Sequence, residues 1–358
     1  MANADFRGGR ALRSVSPAHV GERELRPARE SAKSPLAAGA DVMSRALLVG
    51  VDDYGHAGGA GDLIGCAADA LALTRLLARH EDGRPNFECR TATGAVLRDD
   101  LLAGLDALLA TGADIALFYF AGHGASVRGD VALGTTDGTP ATPGVAFREV
   151  LERIGASPVK EVVVILDCCF SGGAGTLALL DTSAAVLRSG VSILTASRGD
   201  QVSWESEGRG RFSVFLEAAL DGGAADVLGR VTVASVYAFL SESFGAWDQR
   251  PTLKTNLERL HPLRRCTPAV DVRTLRSLPE WFEAPDHVFA LDTSYEPEAE
   301  PSDPVHEAVF AQLQACRASK LIEPVGHQHL YYAAVGSGGC RLTALGRHYW
   351  HLADRGYL

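Results

Sequence analysis

One thiol and one imidazole, each in a glycine-framed break after a continuous apolar run, are where this chain could do covalent chemistry. His123 follows Asp114–Phe120 (DIALFYF) within Ala121-Gly122-His123-Gly124. Cys169 follows Glu161–Leu166 (EVVVIL) within Asp167-Cys168-Cys169-Phe170-Ser171-Gly172-Gly173. A thiol is a poor nucleophile until ionised, and a neighbouring imidazole supplies that ionisation. Gly122, Gly124, Gly172 and Gly173 let backbone approach a substrate closely and permit φ > 0. The amides of Gly124 and Cys169 are then candidate oxyanion donors for acyl transfer. Each residue alone has a plain reading: a cysteine after a strand packs as a small hydrophobe, and a histidine in a glycine turn serves structure. Their joint placement favours a catalytic pair.

Such a pair needs a scaffold that ends two strands side by side. Ala46–Val51, Asp114–Phe120, Glu161–Leu166 and Val191–Thr195 are continuous rather than alternating apolar runs, so they predict strands covered on both faces. Helical spacing separates them: Ala70, Leu73, Leu76, Leu77 and His80, then Arg98–Ala110, Ala146–Ile154 and, after the fourth run, Phe212–Leu220. The order predicts an α/β fold built on a parallel sheet. In such sheets the crevice lies beyond the carboxyl ends of the strands, and neighbouring strands run about 5 Å apart, so His123 and Cys169 can meet.

The segment Tyr119-Phe120-Ala121-Gly122-His123-Gly124 resembles the histidine motif of the caspase/metacaspase clan of cysteine peptidases, and Asp167–Gly172 resembles its cysteine motif. Ala46–Tyr54 with Gly65–Ala70 is similar to the clan's opening strand and first helix, and Thr195–Gln201 with Gly210–Ser213 to the start of its small-subunit half. The likeness runs in order over roughly residues 44–262. It implies a three-layer caspase-like fold, with Cys169 rather than Cys168 as nucleophile and His123 as its base. It also implies a pocket: Asp69 and Asp167 match the acidic positions with which metacaspase-like members accept Arg or Lys before the scissile bond, and Arg over Lys is expected here. A carboxylate suits a guanidinium through paired, charge-assisted hydrogen bonds. The plainer readings are a helix N-cap for Asp69 and a hydrogen-bonder to loop amides for Asp167. Trp204 reads either as a wall of that pocket or as core. Arg188, Arg209 and Arg211 stand in glycine-rich stretches as candidate cleavage points of a zymogen, opened within 173–211 by itself or by an upstream peptidase. The clan often needs calcium, but Ser171–Leu180 carries no carboxylate and the loop after His123 offers only Asp130 and Asp137. No metal or other cofactor is therefore assigned.

The net charge of −10 argues against broad binding to nucleic acid or an anionic membrane. No apolar run is long enough for a membrane span or a secretory signal, and seven cysteines without disulfide or zinc spacing fit free thiols in a cytoplasmic protein. Residues 1–42 read as a disordered leader, or as the product of a start assigned ahead of Met43. The peptidase domain is expected over 43–265, a Pro-rich acidic linker over 266–303, and a small α+β module over 304–358. His329–Val335 reads as a strand there, Gly336–Gly339 as a turn and Leu342–Tyr357 as a helix, an outline resembling a winged helix. From Ala269 on, seven Arg and Lys face twelve Asp and Glu, which disfavours DNA and favours a protein partner or an autoinhibitory role. In bacterial relatives such appendages accompany caspase-like domains in defence or signalling systems. A catalytically silent scaffold that binds a signalling partner is the alternative to a peptidase acting on protein substrates.

Overall fold

The computed structural model describes residues 43–55, 61–127, 130–168, 170–171, 187–196, 205–206, 208–244, 251–298 and 300–358. The leader expected over 1–42, Cys169 and Trp204 lie outside them. Strand β1 (Ser44–Gly50) leads through α1 (Cys66–Ala78) to β2 (Phe87–Thr93), and α2 (Arg98–Leu108) leads to β3 (Ile115–Ala121). A meander of β4 (Gly124–Val127), β5 (Asp130–Gly134) and β6 (Gly144–Ala146) runs into α3 (Phe147–Ala156). Then come β7 (Glu161–Asp167), β8 (Val191–Thr195), α4 (Arg211–Ala218), α5 (Val233–Ser243) and β9 (Thr252–Asn256).

The six-stranded sheet has the order β9-β8-β7-β3-β1-β2, parallel except for antiparallel β9 at one edge. Strand side chains point alternately to its two faces, so each run feeds two cores. Ala116, Phe118 and Phe120 of β3 join α2 and α3 through Leu101, Leu105, Phe147 and Val150. Ile115, Leu117 and Tyr119 of the same strand join α1, α4 and α5 through Leu73, Leu77, Leu216 and Leu240. Both faces being covered is why the strands read as continuous apolar runs. Each fully buried Leu, Val or Phe stabilises the fold by about 1.5–3 kcal/mol. The α/β expectation therefore holds, with helices on both sides of a mostly parallel sheet.

Two edge strands escaped the sequence reading. In β2 (FECRTAT) only Phe87 is buried, and β9 (TLKTN) buries none of its side chains fully. Edge strands with one solvated side carry little apolar signal.

After residue 265 the chain builds a third core. It contains α6 (Val272–Trp281), β10 (Val288–Ala290), α7 (Pro304–Ala318), β11 (Ile322–Val325), α8 (Leu330–Val335), β12 (Gly339–Leu342) and α9 (Ala344–Asp354). The stretch expected as a linker supplies Leu275, Leu278, Phe282 and Leu291 to the core that also holds Phe310, Leu313 and Trp350. Its β10 pairs with β12, and the Trp350 indole N–H donates to the Phe282 carbonyl at 2.7 Å. The expected strand over His329–Val335 is instead the helix α8. Leu330, Ala333 and Ala334 are buried while Tyr331, Tyr332 and Val335 are exposed, an i, i+3, i+4 face rather than an alternation. The two strands of the winged-helix outline are thus not consecutive: α8 lies between β11 and β12, and the sheet order is β10-β12-β11.

Candidate active site

The register of β3 with β7 sets the site. Ala121 stands opposite Asp167, so His123 lies two residues beyond the one and Cys169 two beyond the other. The Gly122 amide donates to the Asp167 carbonyl at 3.4 Å. Beyond that point the loops stay together, because Gly124 and Ala125 pair in parallel with Phe170 and Ser171. Gly124 also faces Leu133 of β5, so the candidate oxyanion residue is held between two strands.

His123 is fixed from three directions. Its backbone N–H donates to the Tyr54 hydroxyl at 2.7 Å, and the Tyr54 ring lies 4.8 Å from the imidazole, centroid to centroid. The Gly134 amide donates to the His123 carbonyl at 2.8 Å. Imidazole Nε2 stands 2.6 Å from the Gly61 carbonyl. A carbonyl only accepts, so Nε2 carries the proton and Nδ1 of the neutral ring is left to take one. Gly122 must be glycine here: a Cβ would stand 2.5 Å from the Tyr54 hydroxyl oxygen. Sequence reasoning found His123 but neither Tyr54 nor Gly61, since nothing local marks either as its partner.

Two other cysteines flank this region. Cys168 is buried in the core beneath the sheet. Burial pushes the Cys66 thiol far up, with the Asp52 carboxylate adding to the effect, which favours its protonated form. Asp52, at the end of β1, accepts from the Cys66 and Ala67 amides at 2.7 and 3.2 Å and caps α1.

That leaves Asp69 for other work. It is 1% exposed, and both of its oxygens are engaged. Oδ1 accepts from Arg209 Nε at 2.7 Å, and Oδ2 from the Gly210 amide at 3.1 Å. Burial pushes the Asp69 carboxyl up, opposed by Arg209 and Gly210. Asp167 accepts from the Ser213 hydroxyl at 2.5 Å, and that hydroxyl lies 2.6 Å from Tyr119 Oη. Burial raises Asp167 to about 6, and the Asp69 charge adds to that rise. The structure brings the two carboxylates together over one backbone position. A Cβ built on Gly210 would stand 3.1 Å from Asp167 Oδ2 and 3.2 Å from Asp69 Oδ2. Glu217, absent from the sequence reading, adds a third carboxylate, 2.6 Å from Arg209 Nη1.

The three candidate cleavage arginines have different surroundings. Arg188 donates to the carbonyls of Ile154, Ser189 and Val159. The Arg211 guanidinium carbon sits 5.4 and 5.2 Å from the Phe215 and Phe244 ring centroids. Arg209 is seated on Asp69, its Nε 2.7 Å from Asp69 Oδ1.

Asp130 accepts from the Val131 and Arg148 amides, and Asp137 from the Arg98 amide. Among the described residues no three or more His, Cys, Asp and Glu side chains are grouped as a metal would require. The six described cysteines are free thiols. No helix among the described residues is long and apolar enough to cross a membrane.

No curated protein matches the chain. Among solved structures, a Geobacter sulfurreducens protein is similar to it at 19% identity with a TM-score of 0.48, over 63% of this chain and 99% of that one. A family model described as a caspase domain matches residues 43–259, which takes in β1 through β9 and both glycine-framed loops. The chain belongs to the caspase-domain family of cysteine peptidases.

Proposed function

We propose that this protein is a cysteine endopeptidase that cuts after basic residues, Arg over Lys, using Cys169 and His123. The observation that carries the specificity is the convergence of Asp69 and Asp167 on Gly210, with a guanidinium already bound to Asp69. A site that holds one arginine through Nε and Nη1 has the acceptor geometry to hold another.

In the proposed reaction the Cys169 thiol gives its proton to His123 Nδ1 as its sulfur attacks the scissile carbonyl carbon. The oxygen that gains the electron pair is held by the Gly124 and Cys169 amides. Collapse of that intermediate breaks the C–N bond, and His123 returns the proton to the departing amine. Water, deprotonated by His123, then hydrolyses the thioester. Gly61 keeps the opposite ring nitrogen protonated throughout.

Four further proposals go with this one. The peptidase domain is 43–265 and the C-terminal module a protein-docking appendage in a bacterial defence or signalling system. The enzyme is a zymogen, and it works in the cytoplasm. One observation favours the silent-scaffold alternative: Asp69 has no oxygen left over for a substrate.

A fluorogenic peptide panel separates the two. The wild-type chain should cleave a substrate with Arg before the reporter, a Lys analogue less well and an Asp analogue not at all. Cys169→Ala and His123→Ala should abolish turnover. Equal turnover by Cys169→Ala would refute Cys169 as the nucleophile, and no turnover before or after limited trypsin treatment would leave the scaffold reading standing.

A further inference from the structure

We propose that Arg209 is an internal occupant of the arginine pocket, and that Glu217 is a specificity residue alongside Asp69. A substrate arginine therefore binds only by displacing Arg209. The inference rests on the basic-residue specificity proposed above and adds how that pocket is kept closed to substrate.

Arg209 fills the position a substrate guanidinium would need. Its Nε donates to Asp69 and its Nη1 to Glu217, while the following amide, on Gly210, takes the second Asp69 oxygen. Burial alone would lower the Arg209 pKa, but its bonds to the two carboxylates raise it, so the guanidinium stays charged in place. The chain is built to bring it there. Gly65, at the start of α1 with φ of 97°, leaves room for the backbone just before Arg209, since a Cβ there would stand 2.2 Å from the Gly208 carbonyl oxygen. The fit over the carboxylates is looser at Gly210, where a Cβ would stand 3.1 and 3.2 Å from Asp167 Oδ2 and Asp69 Oδ2.

Two features mark a displaceable occupant rather than a permanent strut. Arg209 Nη2 is buried with no hydrogen-bond partner among the described residues, and leaving a buried donor unpaired is costly. The Arg209 side chain is also 27% exposed, against 2% for Asp69, so the arginine meets solvent where the carboxylate does not. The Arg209–Gly210 peptide N–H is spent on Asp69, which suits occupancy better than scission of that bond.

An occupant in equilibrium with a free pocket weakens every competing ligand by the fraction of time the pocket is open. The test is titration calorimetry on the full-length Cys169→Ala protein with Nα-acetyl-argininamide, in the presence and absence of Arg209→Gln. Glutamine still donates to Asp69 but carries no charge, and binding should tighten about tenfold or more. Arg209→Lys keeps a charge that cannot reach both carboxylates, so it should give a smaller gain, and it serves if the glutamine variant fails to fold. Adding Glu217→Gln to Arg209→Gln should weaken the ligand again. Equal binding with and without Arg209, in proteins that unfold cooperatively, would overturn the occupancy and leave the arginine pocket intact. Binding to neither protein would overturn both.

Discussion

The carboxyl of Asp167 should make the stability of this fold depend on pH in the opposite sense to a salt-bridged aspartate. Burial raises it from 3.8 to about 6, the Asp69 charge adds to the rise, and the Ser213 hydrogen bond opposes it. Below about pH 4 the carboxyl is neutral in both native and unfolded chains, so it costs nothing. Between about pH 4 and 6 the unfolded chain ionises first and gains free energy that the native state does not. Above about pH 6 both are ionised, and the native state carries the whole penalty of a buried charge, at most about 3 kcal/mol. Stability from this group is thus present at acid pH and lost as pH rises. Asp167→Asn keeps the shape and an acceptor for Ser213 but removes the titration. The assay is urea unfolding of wild type and Asp167→Asn from pH 4 to 8, taking the difference at each pH so that other titrating groups cancel. The variant should gain about 2–3 kcal/mol on wild type across that range, most of it below about pH 6.5. A flat difference, or one in which wild type gains as pH rises, would refute the assignment of Asp167 as a buried, charge-penalised carboxyl.

Tyr54→Phe removes the acceptor of the His123 amide and should cost about 1–3 kcal/mol in urea unfolding. Because it loosens the loop rather than the pocket, kcat on an arginine substrate should fall while KM holds, and an unchanged kcat would count against a positioning role. In the C-terminal core, Leu330→Ala should cost about 2–5 kcal/mol and Tyr332→Ala within about 0.5, since only Leu330 is buried. Similar costs at the two positions would point to a strand face in place of the helix α8.

What the sequence makes legible here is what is local. The four apolar runs, the helices between them and the glycines around His123 and Cys169 each announce themselves within about ten residues. Each therefore survives translation into β1, β3, β7 and β8 with shifts of a residue or two at the ends. The edge strands β2 and β9 were lost because a strand with solvated side chains has no apolar signature. Residues 329–335, a seven-residue run rich in Tyr, Ala and Val, fit either period. The Gly336 turn suggested a hairpin, and only tertiary burial of Leu330, Ala333 and Ala334 decides between them. The proline-rich acidic stretch looked like a linker because its exposed residues outnumber its anchors, yet Leu275, Leu278 and Phe282 are enough to seat it.

The site divides along the same line. His123 and Cys169 can be singled out from sequence because each stands two residues past a strand end, and β3 and β7 pair in register with Ala121 opposite Asp167. The pocket is different in kind. Arg209 and Asp69 are 140 residues apart, and Glu217 lies on a helix whose apolar face gives no reason to look at it. Read linearly, Arg209 is a basic residue in a glycine-rich stretch, which is also what a processing site looks like. Folded, its guanidinium lies on the carboxylate that was assigned to the substrate. The same pairing that supports the proposed arginine recognition also sets Arg209 in competition with any arginine from outside. Specificity and latency therefore become one question about which guanidinium the pocket holds, and substituting Arg209 changes the answer without touching the dyad.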